Sequence, residues 1–123
     1  MAEAVTAERR QWRAKHRYAR LSARKARLGV DLIRELPVNK AQDVLRFTRK
    51  RAAPLIAKVL ASAIANANEQ EADVRRLWVA EARVDEGPFF RRFRPKDRGR
   101  AHEILKRTSH LTVVVEERPG AQK

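Results

Sequence analysis

Between Gly87 and Arg100 the chain reads GPFFRRFRPKDRGR, in which six cations (Arg91, Arg92, Arg94, Lys96, Arg98 and Arg100) stand against one acid, Asp97. Phe89, Phe90 and Phe93 are its large apolar side chains. Segments rich in Val, Leu and Thr flank this run, and such residues favour a pleated, half-buried backbone. The pattern predicts a long β-hairpin over about 84–106 with a basic tip at 88–100. Such a tip has little apolar material with which to fold on itself, so an anionic partner is needed to order it. If about ten residues on each side leave the body at ~3.3 Å per residue, the arm reaches on the order of 30 Å.

The rest of the chain has the same charge bias. Twenty-nine Lys and Arg face 15 Asp and Glu in 123 residues, a formal charge of +14 and a pI near 11.4. A surplus this large points to nucleic acid as the counter-surface. The length fits one domain with a modest core, and the 43% hydrophobic content is enough to build it. There is no cysteine, which removes disulfides and thiolate metal sites and is compatible with a reducing compartment. No apolar run approaches the length of a membrane span, and MAEAVTAERR lacks the hydrophobic core of a secretory signal. The expectation is a soluble, cytoplasmic protein with no membrane partner and no obligate homo-oligomer.

Arg9 to Arg27 (RRQWRAKHRYARLSARKAR) is cationic with no acid. Because its cations follow no single helical face, residues 1–17 are read as a basic N-terminal arm, with a short strand near Tyr18 to Leu21. Ser22 resembles an N-cap for a helix from Ala23 to Glu35 with Ala26, Val30 and Ile33 on one face. Arg24, Lys25 and Arg27 crowd its first turns, where the helix dipole disfavours cations; a bound phosphate would reverse that cost. Asn39 can cap a second helix, Lys40 to Arg51. Ala52 to Asn68 is the clearest helix, with Pro54 in its first turn and Ile56, Leu60, Ala63, Ile64 and Ala67 in one stripe. Strands are predicted over Arg76 to Val84 and Ile104 to Glu117. In the second, Leu105, Leu111, Val113 and Val115 share one face, and Lys106, Thr108, His110 and Thr112 the other. The elements make one α+β domain over 18–117: three helices on a small three-stranded antiparallel sheet, with the hairpin protruding and a tail at 118–123.

Catalytic chemistry finds no footing. Asp85 and Glu86 are adjacent and point to opposite faces of a strand, so they cannot share a proton or a metal; partnering arginines is their natural role. Ser109 and His110 also face apart, with no third group to make a triad. His16, His102 and His110 are too scattered for a metal site, and neither GxxxxGK[ST] nor GxGxxG occurs. No cofactor or metal is expected, and no enzyme activity.

The basic clusters could form a merely solvated surface, but self-repulsion of this size destabilises a compact state unless it is neutralised. Six arm cations each meeting one phosphate would give a salt slope of roughly −4 to −5, an affinity loss of about several hundred-fold between 50 and 200 mM salt. Specificity would come from shape, with Arg planes and Phe89, Phe90 or Phe93 stacking on splayed bases; the alternative for these rings is an apolar cluster that stiffens the tip. Trp12 is either an RNA contact or a lid on the core, and Trp78 suits packing. Candidate RNA-binding residues are Arg13, Lys15, Arg17 and Arg20 in the first cluster, Ser22, Arg24 and Lys25 at the first helix, and Arg49 and Lys50 at the second. On the hairpin they are Arg91, Arg92, Arg94, Lys96, Arg98, Gly99 and Arg100, with Lys106, Arg107, Thr108, Ser109 and His110 on the returning strand. A basic DNA-architectural protein that wedges Pro95 into a minor groove, or a free RNA chaperone with a β-arm, is the alternative.

SARKARLGVDLIR at Ser22 to Arg34, AAPLIAKVLASAIANA at Ala52 to Ala67, VDEGP at Val84 to Pro88, RPKDRGRA at Arg94 to Ala101 and ILKRTSHLTVVV at Ile104 to Val115 resemble, in order and spacing, the universal large-subunit ribosomal protein twenty-two family. The likeness spans about Tyr18 to Glu117. The chain departs from the family at Ala23, where a proline is usual, at Leu36-Pro37, which replaces a helix-ending glycine, and in its aromatic tip. The resemblance implies a structural constituent of the large ribosomal subunit that binds several domains of the large rRNA, supports early assembly and abuts neighbouring ribosomal proteins. It further implies that the hairpin lines the nascent-peptide exit tunnel, with Phe89, Phe90, Arg91, Arg92, Phe93, Arg94, Pro95 and Lys96 at the tunnel-side tip, beside the nascent polypeptide.

Overall fold

The computed structural model describes residues 10–96 and 99–118. Of the predicted N-terminal arm, tail and tip, residues 1–9, 119–123, Asp97 and Arg98 lie outside this range, as do the side chains of Lys96, Arg100, Ala101 and His102. The order of elements is β1 (Gln11–Ala19), α1 (Ala23–Val30), α2 (Val38–Phe47), α3 (Ala52–Glu69), a 3-10 turn (Val74–Arg76), β2 (Leu77–Lys96) and β3 (Arg100–Glu117). The strands form one antiparallel sheet in the order β1-β3-β2. Three helices beside a three-stranded sheet with a long hairpin is the α+β class the sequence predicts.

The first strand begins seven residues before the predicted one at Tyr18. Gln11, Arg13, Lys15 and Arg17 are exposed while Trp12, Ala14 and His16 are wholly or partly covered, a period of two that only a strand produces. Residues 11–17 therefore belong to the sheet and not to an arm. They pair from Gln11↔Glu116 to His16↔Leu111, and Asn66 of α3 closes the edge by donating to the Arg13 carbonyl at 3.0 Å.

α1 starts where predicted, with the Ser22 hydroxyl accepting from Lys25 N–H at 3.3 Å, but it stops at Val30 and not at Glu35. The sheet takes over the backbone there: Glu35 N–H donates to Val79 O (3.1 Å) and Val79 N–H to Leu36 O (2.8 Å), with Glu35 at φ 62. α2 begins at Val38, so Asn39 lies inside it and is not its cap; Pro37 precedes it with φ already near the helical value, and its carbonyl accepts from Ala41. Thr48 turns extended and its hydroxyl donates to Val44 O at 2.6 Å, which ends α2 at Phe47 and leaves Arg49, Lys50 and Arg51 in the connection to α3.

The core lies between the helices and one face of the sheet. Ile56, Leu60, Ala63 and Ala67 of α3, Ala26 and Val30 of α1 and Ala41 and Leu45 of α2 meet Leu77, Val79, Ala82 and Val84 of β2 and Leu111, Val113 and Val115 of β3, all buried. Each large side chain so buried contributes about 1.5–3 kcal/mol before entropy is counted. β3 is the central strand, so both of its faces are covered in the body: Thr112 and Val114 are buried too, flanked by Lys15 and Arg83 and by Arg13 and Glu81. Two arginines seal the outer edge of β2, with Arg34 Nε donating to Ala82 O (2.8 Å) and Arg27 to Val84 O (3.2 Å).

A candidate nucleic-acid interface

Beyond the body, β2 and β3 continue alone as a two-stranded ribbon. The change occurs at a register shift between Glu86 and Phe89, opposite Ser109 and Arg107. Gly87 sits in this bulge because nothing larger fits: an added Cβ would lie 2.7 Å from Thr108 Oγ1 and 3.1 Å from His110 Nε2. Thr108 donates its hydroxyl to Pro88 O, and His110 Nδ1 accepts from Tyr18 N–H at 3.1 Å while its ring meets the Tyr18 ring edge-on at 4.9 Å. Thr108 and Ser109 are buried, at 4% and 0% exposure. Thr108 and His110, predicted to touch RNA, are engaged instead in the joint between arm and body, and Ser109, also predicted, is buried on the other face of the strand.

From the joint the ladder runs without interruption from Phe89↔Arg107 to Lys96↔Arg100. The pairing thus runs through most of the predicted basic tip, and Gly99, in a turn, has a left-handed φ of 80. Its place is explained by this turn. At ~3.3 Å per residue, Phe89 to Lys96 spans about 25 Å.

The two faces of the ribbon differ in charge. One carries Phe89, Arg91 and Phe93 opposite Arg107, Leu105 and Glu103, and Arg91 pairs with Glu103 at 3.1 Å. The other carries Phe90, Arg92 and Arg94 opposite Lys106 and Ile104, with no carboxylate among the described residues. Each face stacks an arginine on a phenylalanine two residues away, Arg91 on Phe89 (5.9 Å) and Arg92 on Phe90 (5.8 Å). Phe93 is 69% exposed, so it stiffens nothing by burial.

Three grooves share Ser22 at the start of α1, two of them between body and ribbon. The largest, about 670 Å³, has Arg20, Lys25 and Arg51 on the body side and Arg92, Lys106 and Arg107 on the ribbon, with Leu21, Phe90 and Leu105 as apolar wall. A second, about 370 Å³, lies between Arg24 and Arg107 and includes Phe89 and Glu86. The third, about 340 Å³, brings Lys25 together with Lys50 and Arg51 beside Leu28. Arg20, Lys25, Lys50, Arg92, Lys106 and Arg107, predicted from separate runs, are thereby gathered round one helix start. Arg51 was missing from the candidates; only its place at the head of α3 brings it here. Arg49 is exposed but outside these grooves, and Arg13, Lys15 and Arg17 form a separate exposed row on the outer face of the sheet.

Other cations are engaged within the protein. Arg83 bridges Glu81 and Asp85, which supports the role given to Asp85, and Arg118 joins Glu116 (2.6 Å) to Glu35 (3.0 Å) beneath its stacking on Trp78. Trp12 packs on the core as a lid, with Arg10 over its ring. Glu117 accepts from Asp73 N–H at 2.9 Å and from Arg10, and these bonds hold its carboxyl below the usual carboxylate range in spite of its partial burial.

An α+β body with cations concentrated on one ribbon face and the adjoining helix start has the electrostatic footprint of a nucleic-acid-binding protein. The sequence model for ribosomal protein L22p/L17e matches residues 14–116, and the chain belongs to that family. It is accordingly a structural, rRNA-binding constituent of the large ribosomal subunit.

Proposed function

We propose that the body anchors this protein to several domains of the large rRNA early in subunit assembly, next to neighbouring ribosomal proteins, while the ribbon lines the nascent-peptide exit tunnel. The observation that carries this reading is the continuous ladder from the joint to Lys96↔Arg100, which holds Phe93, Arg94 and Pro95 about 13–20 Å beyond Phe89, out from a body that does not need them for its core. Arg13, Lys15, Arg17, Arg20, Arg24, Lys25, Arg49 and Lys50 serve the body's rRNA contacts. Arg91, Arg92, Arg94, Lys96, Arg98, Arg100, Lys106 and Arg107 serve those of the arm. A ribbon with cations on both faces can be embedded in RNA on one side and present its Phe93 end to a passing polypeptide.

The test is a photoreactive phenylalanine analogue at position 93 in subunits translating a stalled chain. Cross-links to both large-subunit rRNA and the nascent polypeptide are expected. Cross-links solely to duplex RNA or proteins on the subunit exterior would contradict the tunnel assignment.

A further inference from the structure

The groove at the base of the ribbon has a chemistry more particular than positive charge. We propose that it is a seat for one unstacked nucleotide of RNA, its base lying against Phe90 and the Arg92 guanidinium and its flanking phosphates held between Lys106 on the ribbon and Lys25 and Arg51 on the body. This rests on the reading of the chain as an rRNA-binding protein and specifies what one part of its surface recognises.

Two observations converge. The groove's volume, about 670 Å³, lies within the ~300–1,000 Å³ typical of sites that enclose a small ligand. Its wall combines aromatic and aliphatic surface with cations and no acid, the pairing that takes a base on its face and a phosphate on its oxygens. A base inside a duplex hides its face, so only an unstacked one can use Phe90.

The neighbouring aromatics lack one or other requirement. Phe89 lines the smaller groove, where Glu86 would repel a phosphate, and the Arg91 on its face is already paired with Glu103. Phe93 is 69% exposed and lines none of the three grooves. Phe90, 47% exposed, lines the same groove as the body's Arg20, Lys25 and Arg51.

The experiment uses the full chain and folded, transcribed large-subunit rRNA, with affinity measured over a salt series and zero-length ultraviolet cross-links mapped by mass spectrometry. A mononucleotide adduct on the Phe90 segment is expected. Phe90→Ala should weaken binding about 5- to 150-fold, the loss of one base–aromatic stack, with an unchanged salt slope. Phe90→Tyr should restore it. Lys106→Ala, which removes a phosphate partner, should reduce the slope by about one, and Phe93→Ala should change affinity little. Phe90→Leu, which keeps the apolar volume but not the ring, should behave like Phe90→Ala. If Phe90→Ala and Phe93→Ala bind alike, or if Phe90→Leu binds as wild type, the seat is refuted while rRNA binding stands. If wild type binds duplex DNA as well as rRNA, the reading beneath the proposal fails instead.

Discussion

β2 passes through two environments. From Leu77 to Val84 its inward side chains lie in the core beneath the helical layer, with Leu77, Val79, Ala82 and Val84 buried; from Phe89 the same strand leaves the body, and every side chain described there is exposed. Pairing with β3 runs through both, with register shifts after Val79 and after Glu86. What differs is the third layer. An isolated two-stranded ribbon is marginal in water, whereas the body adds β1 and the helices to the same ladder. The body is thus held by its own packing and the ribbon by whatever neutralises Arg92, Arg94 and Lys106.

The sharpest way to break this division is to compare a cavity in the body with a truncation on the ribbon. Leu60→Ala, at a fully buried position of α3, should cost about 2–5 kcal/mol in denaturant unfolding. Phe93→Ala should stay within about 0.5 kcal/mol of wild type. Comparable losses would mean that the ribbon belongs to the folding unit.

A smaller effect probes how the far end of the sheet is closed. Because Glu117 has its carboxyl lowered in the folded state by Asp73 N–H and Arg10, its stabilisation is complete above the unfolded carboxylate value and is lost as pH falls through the lower, folded value. Glu117→Gln should therefore flatten part of the acid limb of a stability–pH curve and leave RNA affinity at neutral pH unchanged. An undiminished acid limb would show that this contact is not coupled to folding.

Much of the body was legible in the sequence, and the reasons are local. The stripe Ile56, Leu60, Ala63 and Ala67 announces α3, and Ser22 announces the start of α1, because spacing and capping are decided within a few residues. The end of α1 was not legible, since the bonds between Glu35, Leu36 and Val79 come from a strand forty residues on. β1 was obscured because charge drew attention from alternation: Arg13, Lys15 and Arg17 read as an undirected basic run, although Trp12, Ala14 and His16 between them mark the inward face.

The interface divides the same way. That the hairpin would be basic and protruding follows from composition alone. That Thr108 and His110 form its joint follows from Gly87, whose missing side chain admits them from the opposite strand. The groove itself could not be read, because Arg20, Lys25, Arg51, Arg92 and Lys106 come together only when β1, α1, the connection to α3 and both hairpin strands have been folded against one another.

Amide hydrogen exchange along β2 in the free protein and with folded large-subunit rRNA tests the division between body and ribbon most directly. The account predicts strong protection at Leu77 to Val84 in both states, and fast exchange at Phe89 to Arg94 that slows when RNA is bound. Equal protection along the whole strand in the free protein, or a ribbon whose exchange RNA leaves unchanged, would contradict it.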